Sequence, residues 1–290
     1  MAELGRPEKT IEILQKYHVV FQKKFGQNFL IDEHVLGKII QAAEITKDDV
    51  VLEIGPGIGT MTQYLAEAAG QVVAIEIDRN LLQILDETLS GYDNVTVISG
   101  DAMKIDLRKT LTDACGGELP ASLKVCANLP YYITTPLIMM LLEGDIPFQN
   151  LTLMVQKEVA ERMQAGPGTK DYGALSLAVQ YYADPYIAAY VPQNCFMPRP
   201  NVDSAVIRLT KRPEPPVSVQ DEALLFKLIR ASFSQRRKTL VNGLTNSREL
   251  NLSKEQAAAA VVAAGFDPQI RGEKLTLEEF ATLANVVAGM

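Results

Sequence analysis

Between residues 49 and 209, short apolar runs alternate with amphipathic stretches, and few architectures accommodate such a pattern. Residues 50–54, 72–75, 95–98, 123–127 and 151–155 are rich in valine, isoleucine and leucine and are bounded by Gly, Asp or Asn. They read as strands buried on both faces. Residues 60–69, 79–89, 135–142 and 157–164 lie between or just after them and carry helical periodicity. A further helix is expected at 174–183, then strands near 186–191 and 204–209. Strand–helix alternation of this kind predicts an α/β domain, a parallel sheet with helices on both faces.

The pattern changes at Arg212-Pro213-Glu214-Pro215-Pro216. Proline removes backbone donors and fixes dihedrals, so this segment reads as a linker. Residues 1–212 are expected to form an N-terminal extension plus the α/β domain, and 213–290 a small all-helical C-terminal domain. There Asp221 can cap a helix reaching about Phe233, and a second helix covers 237–244. Ser253 with Gln256, and Thr276 with Glu279, have the spacing of capping boxes that open two more.

Composition narrows the function classes. No apolar run is long enough to span a bilayer, and the amino terminus lacks the apolar core of a signal peptide, so a cytoplasmic protein without a membrane partner is expected. Three scattered cysteines, at 115, 126 and 195, fit a reducing compartment and neither a disulfide framework nor a metal site. With only His18 and His34 present, a histidine base is disfavoured. The net charge of −7 argues at first against a polyanionic partner. Its distribution argues otherwise. Residues 13–31 hold Lys16, Lys23 and Lys24 and no acid; residues 223–248 hold Lys227, Arg230, Arg236, Arg237, Lys238 and Arg248 and no acid. Two solvated helix faces, or one face for a polyanion, both satisfy that pattern.

Gly55, Gly57 and Gly59 sit where the first strand of the alternating region turns into its helix. Glycine lets a backbone approach a ligand and take positive φ at little cost. The G-x-G-x-G spacing differs from the G-x-G-x-x-G of a nicotinamide-binding turn. Glu76 ends the next strand, where an acid can accept from both hydroxyls of a ribose. Asp101 follows the third strand and can accept from an adenine amino group or cap a turn. Asn28 and Leu30 lie upstream in Gly26-Gln27-Asn28-Phe29-Leu30, and spacing alone assigns neither.

Asn128-Leu129-Pro130-Tyr131 follows the strand at 123–127. An exocyclic amine on a purine is a poor nucleophile because its lone pair is delocalised into the ring. Two acceptors aimed at its N–H bonds favour a pyramidal nitrogen and free that pair. The Asn128 side-chain oxygen and the Leu129 carbonyl can supply them. Pro130 stiffens the turn. Tyr131 offers a stacking face worth about 1–3 kcal/mol in single-stranded recognition. With the glycine turn this suggests methyl transfer to a nucleobase amine, driven by placement and oriented dipoles rather than by a strong base. Phe196, in Phe196-Met197-Pro198-Arg199-Pro200, could stack on the opposite face of the base.

Together these segments resemble the KsgA (RsmA) type of ribosomal RNA adenine dimethyltransferases, close to end to end. Gln156-Lys157-Glu158-Val159-Ala160-Glu161-Arg162 and Ala231-Ser232-Phe233-Ser234-Gln235-Arg236-Arg237-Lys238 add to the match. The resemblance implies a class I S-adenosylmethionine-dependent methyltransferase fold, a Rossmann-like, mostly parallel seven-stranded sheet whose last strand is antiparallel, plus the helical C-terminal domain. It implies S-adenosylmethionine as donor and S-adenosylhomocysteine as product, with Asn28, Leu30, Gly55, Gly57, Glu76, Asp101 and Asn128 on the donor. Asn128, Leu129, Pro130, Tyr131 and Phe196 would hold the adenine. Lys23, Lys24, Arg236, Arg237 and Lys238 are the expected RNA contacts. The implied substrate is two adjacent adenosines in the 3′-terminal hairpin loop of 16S rRNA, each dimethylated on N6 within the immature 30S subunit, by a protein taken as monomeric. A large-subunit rRNA enzyme of the macrolide-resistance type fits the Asn-Leu-Pro-Tyr form and the Gln235 to Lys238 segment less well. A non-catalytic assembly checkpoint and a nicotinamide oxidoreductase are the readings from other classes.

Overall fold

The computed structural model describes residues 2–22 and 26–290. In chain order the first elements are α1 (Pro7–Lys16), β1 (Phe29–Leu30), α2 (Glu33–Ala43), β2 (Val50–Ile54), α3 (Thr60–Ala68), β3 (Gln71–Glu76), α4 (Arg79–Thr88) and β4 (Val95–Ser99). Then come α5 (Leu107–Ala114), β5 (Leu123–Asn128), α6 (Thr134–Glu143), β6 (Asn150–Gln156), α7 (Lys157–Gln164), α8 (Ala174–Tyr182), β7 (Ala183–Val191), β8 (Phe196–Met197) and β9 (Ser204–Lys211). The last elements are α9 (Glu222–Ser234), α10 (Leu240–Thr245), α11 (Lys254–Ala263) and α12 (Leu277–Ala288).

Seven strands make one sheet in the order β4-β3-β2-β5-β6-β9-β7. The pairs from β4 to β6 are parallel, and β9 runs antiparallel to β6. Order reverses between β2 and β5, and ligands of open α/β sheets bind outside the carboxyl ends of the strands at such a switch point. Val51, Leu52, Val72, Val73, Ala74, Val125 and Cys126 are fully buried, which is why these strands read as continuous apolar runs. Leu36, Ile39, Val51, Leu65, Val72 and Val206 share one core cluster on the side of α2 and α3. Asp32, Asp78 and Asp106 cap α2, α4 and α5 through their side chains, at Val35, Asn80 and Lys109.

Two compact units emerge. The first holds residues 1–160 and 184–211, the second 161–183 and 212–290. One division between the units falls at 211–212, at the start of the proline segment, while 161–183 packs with the second unit rather than with the sheet that flanks it in sequence. The reason is apolar surface: Tyr172, Leu177 and Tyr181 share a core with Leu225, Leu228, Leu275 and Phe280. In that unit Ser253–Gln256 and Thr276–Glu279 close capping boxes, each through two reciprocal bonds. Helix α10 starts at Leu240 rather than 237 because Thr239 takes the cap position and accepts from Asn242. No described helix is long and apolar enough to cross a membrane.

Candidate active site

A cleft opens at the carboxyl ends of β2, β3 and β5. Its walls include Asn28, Leu30, Glu53, Gly55, Gly57, Glu76, Asp101, Asn128, Leu129, Pro130 and Tyr131. Most of the residues singled out from the sequence therefore converge on one place. Lys23 and Lys24 lie outside the described residues. Arg236, Arg237 and Lys238 belong to the second unit.

Phe196 is a correction to the expectation of a second stacking ring. It is 4% exposed, pairs with Leu30 through the two-stranded β1–β8 ladder, and packs in the core with Leu36 and Val191. Burial of a large aromatic outweighs the loop character that the neighbouring prolines suggest. Phe196 is not among the residues that line the cleft.

The glycine turn is built by backbone conformation. Gly55, Gly57 and Gly59 have φ of +74°, +63° and +90°. A Cβ on Gly55 would meet nothing within 4 Å and would stand in the open cleft, whereas one on Gly57 would come to 2.9 Å of the Phe29 ring. Gly57→Ala is therefore expected to strain the turn by about 1–3 kcal/mol and, if the cleft takes the donor that the sequence resemblance implies, to weaken its binding about tenfold. Calorimetric titration of the folded variant checks this.

Glu76 is buried and held by two backbone amides: Gly57 N–H donates to Oε2 at 3.0 Å and Asp78 N–H to Oε1 at 2.8 Å. Burial raises its pKa, and these amides oppose the rise. Asp78 extends the network. Its Oδ2 accepts from Gln22 Nε2 at 3.1 Å and Gln27 Nε2 at 2.9 Å, and its Oδ1 from Asn80. Gln27 Oε1 in turn accepts from the Gln22 amide. The segment carrying Asn28 is thus fastened to the loop that carries Glu76. Gln27→Leu is expected to raise the donor KM several-fold with kcat within about twofold, since it loosens a wall without touching the reacting group. An equal fall in kcat would contradict that role.

Asp101 lines the cleft, but its side chain is also committed to its own turn, accepting from the Met103 amide at 3.0 Å and pairing with Lys104 at 3.0 Å. Three lining side chains escaped the sequence reading. Ile77 is 44%, Met103 38% and Tyr132 56% exposed, apolar surface that a planar ligand would cover. Glu53, at the head of the glycine turn, also lines the cleft and is fully buried, with neither carboxyl oxygen in a hydrogen bond of good geometry. Burial drives its pKa to about 8, only partly opposed by the nearby Thr62 hydroxyl, with the Glu76 charge pushing the same way as burial.

At the end of β5, Asn128 Nδ2 donates to the Asn28 carbonyl at 2.9 Å. Only the amide nitrogen can face a carbonyl, so Oδ1 is turned away from it. Pro130 places its own carbonyl on the Ile133 amide and the Thr134 hydroxyl. The Tyr131 hydroxyl lies 2.9 Å from Ser204 Oγ, which fixes the ring from β9.

The sheet order with its antiparallel β9 and the glycine turn at the switch point define a class I S-adenosylmethionine-dependent methyltransferase fold. Relatives make the assignment specific. A family model described as ribosomal RNA adenine dimethylase matches residues 19–288. Ribosomal RNA small subunit methyltransferase A of Lachnoclostridium phytofermentans is 65% identical over 288 residues, covering 99% of this chain and 98% of that protein. A dimethyladenosine transferase from Plasmodium falciparum superposes with a TM-score of 0.72 at 27% identity, over 88% of this chain and 95% of that one. The 23S rRNA methyltransferase ErmE gives 0.65 at 26%, over 90% and 99%. The chain belongs to the ribosomal RNA adenine dimethylase family and is an enzyme of that class.

Proposed function

We propose that this enzyme transfers methyl groups from S-adenosylmethionine to N6 of two adjacent adenosines in the 3′-terminal hairpin loop of 16S rRNA, dimethylating each as the 30S subunit matures. The observation that carries the reading is the Asn128 amide, held by the Asn28 carbonyl at 2.9 Å so that Oδ1 is presented as an acceptor. The 65% identity to a small-subunit methyltransferase favours that subunit over the large one.

The cleft suits the donor by its chemistry. Gly55 leaves room for a backbone approach, Glu76 offers a carboxylate already oriented by two amides, and Ile77 and Met103 are apolar walls for a purine. Asn28, Leu30, Asp101 and Asn128 would complete the donor site. When bound, the donor supplies an electrophilic methyl on a sulfonium. The protein's part is to prepare the amine. Asn128 Oδ1 and the Leu129 carbonyl accept its N–H bonds and draw the lone pair out of conjugation. Tyr131, anchored to Ser204, holds the base plane. The amine becomes acidic as it is alkylated, so its proton can pass to solvent. A loop base suits this site because it is cheaper to extrude than a paired one. In the second unit, Arg236 spends donors on the carbonyls of Thr169 and Lys170 and on Glu273, so Arg237 and Lys238 are the better candidates for phosphate contacts.

Labelled methyl transfer to unmethylated small subunits and, separately, to large-subunit RNA, followed by nucleoside mapping, tests this. Dimethyladenosine confined to the 3′-terminal hairpin is expected. Label in large-subunit RNA, or tight subunit binding without label, would replace the reading.

A further inference from the structure

We infer that β7 carries a second RNA-contacting surface, a stacking subsite at Tyr190 with Lys157, extended by Tyr186 with Arg208, for single-stranded nucleotides that flank the target base. The inference rests on the rRNA reading above.

β7 is the edge strand of the sheet. Tyr186 and Tyr190 are four residues apart on it, so they project from one face, about 13 Å apart along the strand. Both rings stay half in solvent, 53% and 55% exposed. Between them in sequence stands Ala188, small and partly buried against the core. Each ring carries a cation: Lys157 Nζ lies 5.1 Å from the Tyr190 centroid, and the Arg208 guanidinium 5.6 Å from that of Tyr186. Aromatic faces interleaved with positive charge suit a single strand, whose bases stack in any sequence while cations follow its phosphates.

The two ends of the surface are not equal. Arg208 is ion-paired to Glu44, and Asp184 lies on the same face of β7, so the Tyr186 end is near neutrality. The Lys157 end is the one nearest the reactive motif. Lys157 directly follows Gln156, which is paired with Ser204 across β6 and β9, and Ser204 bonds the Tyr131 hydroxyl at 2.9 Å. A strand whose base reaches Tyr131 therefore has Tyr190 within its path. The Gln156 to Arg162 segment, which the donor and adenine sites leave unused, finds a role here through its lysine.

Full-length Tyr190→Ala, Tyr190→Phe and Lys157→Gln proteins test the proposal in two assays: methylation kinetics on unmethylated small subunits, and binding of a fluorescein-labelled oligouridylate of about 12 nucleotides. Tyr190→Ala is expected to raise the subunit KM and weaken the oligonucleotide about tenfold, the low end of a lost stacking contact, with kcat and the donor KM unchanged. Tyr190→Phe keeps the face and should stay within about twofold of wild type. Lys157→Gln should weaken binding several-fold and reduce its salt slope by about one phosphate contact. Wild-type subunit KM and oligonucleotide affinity in Tyr190→Ala would overturn the proposal, even with a lowered unfolding temperature, because the ring would then serve only to protect the sheet edge. Should Tyr190→Ala fail to fold, Lys157→Gln, whose side chain is exposed, decides by the same criteria. No methylation of small subunits by the wild-type protein would remove the rRNA reading, and oligonucleotide binding would still decide the surface.

Discussion

Asn128→Ala is expected to lower kcat by about 10²–10³-fold or more in both the first and second methyl transfers, while donor affinity falls only several-fold. The asymmetry follows from how the side chain is held. Its Nδ2 is bonded to the Asn28 carbonyl, and that leaves Oδ1 as a dipole fixed before any substrate arrives. Alanine removes an acceptor needed when the amine pyramidalises, which is a transition-state interaction. The rest of the donor cleft, built on Gly55, Gly57 and Glu76, is untouched. Asn128→Asp separates the two functions of the amide. It keeps an acceptor but sets a carboxylate against the Asn28 carbonyl, so it should retain more activity than alanine and bind donor less well than wild type. Donor titration together with single-turnover kinetics checks both variants. Full activity in Asn128→Ala would sink the assignment.

The sheet was legible because its central strands are buried on both faces and leave uninterrupted apolar runs, as at Val51, Leu52, Val72 and Val125. The turns were legible because a left-handed backbone at Gly55, Gly57 and Gly59 restricts the residue type locally. Contacts set by the tertiary fold were not. Phe196 reads as a loop residue from its prolines, yet its pairing with Leu30 spans the chain and no local pattern reports it. Gln27 meets Asp78, and Tyr131 meets Ser204, across separations that only the folded sheet closes. The segment 161–183 follows a strand in sequence, but the partners of its apolar face lie beyond residue 212. Glu53 did leave a signal: an acid inside the run Val51-Leu52-Glu53-Ile54 has to be buried with its neighbours. Helices α1, α2 and α5 were not among the expected elements, although Asp32 and Asp106 cap the latter two through their side chains.

Glu53 should make both stability and donor affinity depend on pH, in opposite directions. Its pKa in the folded chain is about 8, against an ordinary value of 4.5, and desolvation is the main cause. A carboxyl whose pKa is raised by folding contributes stability that is complete below the unfolded value and is lost as pH rises through the folded one. Without donor, the unfolding temperature of the wild type should therefore fall between pH 6 and 8, and that of Glu53→Gln should fall less. On the proposed reading the donor would bring a net positive charge, a sulfonium and an ammonium against one carboxylate, into a cleft lined by Glu53 and Glu76, and positive charge favours the ionised carboxyl. A proton should then leave on binding, and affinity should rise by about tenfold or more from pH 6 to pH 8, since each pH unit is worth up to about 1.4 kcal/mol while one proton must be released. Calorimetry in two buffers of different ionisation heat reads the proton directly. Glu53→Gln, isosteric and uncharged, should flatten the affinity profile and remove most of the released proton. Parallel profiles for the two proteins would mean that Glu53 stays protonated with donor bound and that the buried acid serves the turn rather than the ligand.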